Sequence, residues 1–113
     1  MRMTMTLLSV LTLSVPGVAS AADTGPRDIL DIGCHLFDNT CYVTVSGDAV
    51  GPASCRTNSI RWNSQSSPGG KNALSLLTAA FLAGKKVNFS VPDTSCYADQ
   101  PYQPTFSYFA VVR

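Results

Sequence analysis

Few residues in this chain have the type and spacing that reaction chemistry needs. A nucleophilic site requires a base beside its nucleophile and a third group to orient the base. His35 is the sole histidine, and its neighbour Cys34 is one of four cysteines. An even cysteine count in a small exported domain reads as two disulfides, with three possible connectivities. Cys34 is then no free thiol, and His35 is expected to be an ordinary strand histidine. The cysteines do not read as a metal site either, because no Cys-x-x-Cys occurs and one histidine does not complete a zinc set. Acid–base work would fall to the aspartates. Asp28 and Asp31 point to opposite faces of a strand, and Asp93 and Asp99 sit in a loop, so solvated carboxylates are expected. Gly69-Gly70-Lys71 looks like the end of a phosphate loop, but Gln65 and Asn72 stand where glycine and Ser or Thr are required. Asn88-Phe89-Ser90 matches a glycosylation sequon inside a strand pattern. No enzyme, metal or cofactor is expected.

The remaining chemistry is recognition. Tyr97, Asp99, Gln100, Tyr102 and Gln103 are concentrated in a proline-punctuated loop over residues 92–104. Aromatic faces stack on the C–H surfaces of sugars while amides and carboxylates bond the hydroxyls, so these five are the candidate glycan-binding residues.

These residues must be positioned by a small, exported domain. Arg2, the apolar run beginning at Leu7, the break at Pro16-Gly17 and the small-x-small Ala19-Ser20-Ala21 read as a signal peptide over residues 1–21. Cleavage there leaves 92 of the 113 residues, enough for one domain over 22–113. No later stretch approaches the roughly 18 apolar residues of a membrane span. Formal charge is +1, and falls to zero once Arg2 leaves with the leader. A neutral chain lacks the basic footprint of a nucleic-acid binder or an anionic-membrane binder. Periplasmic or secreted localisation follows.

Residues 29–37 read as a first strand with Leu30, Ile32, Cys34 and Leu36 on one face, and a second strand begins at Cys41. A turn centred near Phe37-Asp38 sets Cys34 opposite Cys41, which favours Cys34–Cys41 and leaves Cys55–Cys96. Loop closure assigns about 2.5 kcal/mol to the short loop and about 4 kcal/mol to the long one. A third strand is expected over residues 55–63. A helix then runs from Pro68 towards Gly84, with Ser66-Ser67 as its N-cap. Ala73, Leu74, Leu76, Leu77, Ala80, Phe81 and Ala83 form its apolar arc. Leu82, with Ala79 at its margin, falls on the polar side and suggests an oligomer contact. Val87, Phe89 and Val91 alternate in a fourth strand, and residues 105–112 make a fifth. The fold class is mainly β: five short strands, one helix between the third and fourth, in OB-fold-like barrel order. An α+β sandwich of other topology shares this element content.

Thr24-Gly25, Arg27-Asp28, Cys41, Cys55, Asn58 through Trp62, Ala73-Leu74, Gly84 and Val87 together resemble the B subunits of subtilase cytotoxin and other pertussis-like AB5 toxins. The cysteine, tryptophan and Gly-Gly-Lys helix pattern resembles small exported proteins of Gram-negative bacteria still more closely. The resemblance implies an OB-fold that forms a homopentameric ring, helices towards the pore, binding sialylated host glycans. It also implies an alternative pairing, Cys41 with Cys55 and Cys34 with Cys96. The family's sugar-contacting serine has no counterpart here, where Asp31-Ile32 stand. The expectation is a non-catalytic binding module for a host glycan or another protein. Its rival is a monomeric periplasmic structural or inhibitory protein.

Overall fold

The computed structural model describes residues 21–113 apart from Ser67. The leader over residues 1–21 therefore lies outside the described residues save for Ala21, as does the Ser67 half of the expected N-cap. The elements are β1 (Ala21–Arg27), β2 (Ile29–Cys34), β3 (Thr40–Val45), a 3-10 turn (Ala53–Cys55), β4 (Ser59–Asn63), α1 (Pro68–Ala83), β5 (Lys86–Pro92) and β6 (Tyr108–Val112). They form two antiparallel three-stranded sheets, in the orders β1-β5-β6 and β2-β3-β4.

Six strands replace the expected five. The additional strand, β1, lacks the apolar alternation of a half-buried strand and carries Gly25-Pro26, a turn signal. Pairing with β5 makes it a strand. As an edge strand it tolerates proline, and it bulges between Asp23 and Pro26 where Gly25 takes φ +70°. Within that bulge Thr24 Oγ1 accepts the Phe89 N–H (3.1 Å). Only Asp28 separates β1 from β2, so one run of chain serves both sheets. The first expected strand stops at Cys34 rather than residue 37, and the third begins at Ser59. The last begins at Tyr108, because residues 105–107 still belong to the incoming loop. No closed barrel forms among the described residues. The Arg61 N–H donates to Pro104 O (2.9 Å) and joins β4 to the segment leading into β6.

Core residues come from both sheets and one helix face. Val43, Ile60, Leu77, Val87 and Phe89 are fully buried, with Trp62 nearly so. Burying a Phe or Leu side chain stabilises by about 1.5–3 kcal/mol, so this cluster dominates the fold's cohesion. Phe106 fills the gap between the sheets, edge-on to Trp62 (5.5 Å) and Phe89 (5.6 Å).

The helix buries Gly70, Ala73, Leu77 and Ala80, with Leu74 packed at the edge. The buried stripe is narrower than the expected arc, for Leu76, Phe81 and Ala83 are exposed. Gly70 explains how closely the helix approaches β4. A Cβ there would lie 2.5 Å from Asn63 O and 2.9 Å from Ser64 C, and the Trp62 Nε1–H donates to Gly70 O (3.1 Å). At the other end Gly84 has φ +65°. Its N–H donates to Phe81 O, and the Lys85 N–H to Ala80 O, the paired bonds of a Schellman terminus.

Candidate binding surfaces

Two disulfides staple the frame: Cys34–Cys41 and Cys55–Cys96. Cys34 and Cys41 are register partners across the β2–β3 hairpin, 4.0 Å apart at Cα. That is the pairing the turn position favours, and not the one the toxin resemblance implies. Disulfides form and persist in an oxidising, extracytoplasmic compartment. No helix among the described residues is long and apolar enough to cross a membrane. Also among the described residues, no group of three His, Cys, Asp or Glu is placed to hold a metal ion.

Cys96 fastens the candidate glycan loop, and the structure divides its five residues sharply. Tyr97 is buried. Its hydroxyl shares a hydrogen bond with Thr40 Oγ1 (2.8 Å) and donates to Asp99 Oδ2 (3.3 Å). Burial, with the Asp99 charge adding to it, raises the Tyr97 pKa above the ordinary phenol value. Its ring thus offers no face to a sugar. Gln100 Oε1 accepts from Arg61 Nη1, and Gln103 Oε1 from the Thr57 hydroxyl (2.8 Å). Gln100 thus ties the loop to Arg61 of β4 and Gln103 ties it to Thr57 just before that strand, while Tyr97 N–H to Gln103 O and Gln103 N–H to Gln100 O close the loop on itself. Tyr102 (62% exposed) and the exposed Asp99 face outward. Of the five candidates, Tyr102 and Asp99 therefore present one aromatic face and one carboxylate.

On the helix, Ala79 and Leu82 are both exposed, Leu82 at 78%. At about 100° per residue, Leu76, Ala79 and Ala83 share one stripe with Leu82 beside it. This surface faces away from the core, and Lys71 lies about 20° from Leu82 around the helix.

His35 directly follows β2. Its Nδ1 bonds Asp38 Oδ1 (3.1 Å), and its ring stacks on Phe37 (5.0 Å). Asp38 in turn accepts the Thr40 N–H (2.9 Å), which holds its carboxyl below the usual range, with His35 adding to the effect. Leu36, expected on an apolar strand face, is instead fully exposed beside Phe37 (85% exposed). The Asp38-Asn39 turn that follows could have signalled this, since a hairpin this tight leaves residues 36 and 37 at its tip. Asp28 pairs with Lys86 (3.0 Å) on the surface.

A cleft of about 390 Å³ opens between the first turn of α1, the end of β4 and the segment entering β6. Trp62, Phe106 and Phe109 floor it, and Asn63, Ser66 and Ser107 stand at its rim. No expectation from sequence located it, because its walls come from three segments distant along the chain.

Fold and surfaces together define a disulfide-stapled, two-sheet β domain with one docked helix and several exposed large apolar side chains. No protein-family model, curated protein or solved structure matches the chain.

Proposed function

We propose that the chain is an exported, periplasmic or secreted, non-catalytic binding module with OB-fold architecture, working as a homo-oligomer that binds a glycan. The observation that carries this reading is the group of exposed apolar residues Leu76, Ala79 and Leu82 on the outer face of α1. Leu82 is 78% exposed and Leu76 53% exposed on a helix whose opposite face fills the core. A small soluble domain gains nothing from such a face unless a partner covers it. The OB-fold assignment is supported by the single run of chain through β1 and β2 into both sheets, and by the Arg61–Pro104 bond across the remaining seam. The five-fold ring follows the toxin resemblance. Tyr102 and Asp99 are the outward groups that would meet the sugar.

Size-exclusion chromatography with light scattering tests the assembly. A closed ring that Leu82→Glu dissociates is the expected result, and a strict monomer overturns it. A glycan array on the assembled protein then tests the ligand. Binding should be lost in Tyr102→Ala, and an array with no positive glycan removes the sugar reading.

A further inference from the structure

Leu36 and Phe37 are the two most exposed large apolar side chains among the described residues. They stand on a loop that is braced at every level. The Cys34–Cys41 bridge closes it, and the His35 N–H donates to Thr40 O (2.9 Å). Asp38 caps the Thr40 N–H, and the His35 ring lies against Phe37. The loop is ordered before anything binds, so little conformational entropy remains to be lost on docking.

The cleft lined by Trp62, Phe106 and Phe109 combines these rings with the polar side chains of Asn63, Ser66, Thr105 and Ser107. It has no charged residue in its lining, as the centre of a protein interface requires. Its volume lies at the lower end of sites that enclose a compact group, which suits two side chains. It also sits near the base of the prong. Thr40 pairs with Asn63 in the sheet, and the Ser64 N–H donates to Asn39 O (2.8 Å); Asn63 is at the cleft rim. The intramolecular cleft leaves the prong uncovered, since both tip residues stay exposed.

We propose that the occupant of this cleft is the Leu36–Phe37 prong of a second copy of the chain, exchanged reciprocally about a two-fold axis. Prong and cleft at one end of the molecule allow each copy to give and receive the same contact, the isologous arrangement. Charge agrees with this occupant. Gly69 and Gly70 bring the first turn of α1 to the cleft, and that turn carries no acidic residue to offset its positive end. The prong carries Asp38 directly after Phe37. With the leader removed the copies are also formally neutral, so no net repulsion opposes their approach.

Sedimentation velocity on the oxidised protein over a concentration series reads the contact. Phe37→Ser removes the prong, and Ser107→Trp, at an exposed rim position, fills the cleft. Each is expected to weaken association on the order of tenfold or more. An equimolar mixture should recover a heterodimer, because the first variant keeps its cleft and the second its prong. Misfolded variants would not complement one another. A monomer at every concentration overturns the proposal, as does association that neither variant weakens or a mixture without recovery. Binding of the monomer to phosphatidylcholine vesicles through Phe37 also overturns it, and assigns the prong to a bilayer. The helix face is separate: association lost in Leu82→Glu but kept in Phe37→Ser leaves the proposed function standing and removes this contact.

Discussion

Tyr97 and Tyr102 look alike in sequence and differ entirely in place. Tyr97→Phe removes the bond to the hydroxyl of Thr40, a residue only 1% exposed, and so costs a buried hydrogen bond. A loss of about 1–3 kcal/mol is expected in urea denaturation, whereas Tyr102→Ala should leave stability unchanged within about 0.5 kcal/mol. At Asp38 the Thr40 N–H depresses the folded-state pKa. The contribution is therefore present above the unfolded-state value of about 4 and is lost as pH falls through the lower folded value. Thermal melts from pH 7 down to pH 2 should show part of the acid destabilisation missing in Asp38→Asn, with a lower melting point than wild type at pH 7. Composition was enough to select the loop over residues 92–104 for its tyrosines and amides. Which of them remain outward depended on Thr40, Thr57 and Arg61, partners tens of residues away.

Among the elements, α1 was the most legible, since Pro68 and Gly84 bound it as a first helical position and a left-handed terminus do. Gly70 inside it and Gly84 just past its end make opposite demands. Alanine at Gly84 meets no neighbour but must adopt φ +65°, a cost of about 1–2 kcal/mol. Alanine at Gly70 improves helix propensity by about 1 kcal/mol yet drives a methyl into the Asn63 carbonyl. Gly70→Ala should therefore destabilise more than Gly84→Ala, and equal or reversed losses in urea midpoints would refute the close helix–β4 packing. β1 was not legible at all. Its sequence carries no strand period, and pairing with β5 supplied what propensity did not. The breadth of the helix's apolar arc was misread for a related reason. Periodicity counts apolar residues, but the buried stripe is set by how much sheet lies beneath them.

For the whole molecule, the two bridges divide the work unequally. Loop closure predicts a loss of about 4 kcal/mol for a Cys55→Ala/Cys96→Ala pair and about 2.5 kcal/mol for Cys34→Ala/Cys41→Ala. The first also frees the 97–103 loop, which proteolysis under native conditions should detect. The second should leave that loop protected while loosening the Leu36–Phe37 tip. Cysteine parity, hairpin register, helix bounds and the alternation of Val87, Phe89 and Val91 were enough by themselves to determine a small, bridged, mainly β domain with one helix. Each of those features is local, governed by periods of two or 3.6 residues and by turn chemistry. Tertiary structure alone decided that β1 joins β5, that the sheets stay apart along the β4–β6 seam, and that an aromatic cleft opens beside an apolar prong. These are contacts between segments far apart in the chain, where packing and backbone pairing outweigh local preference.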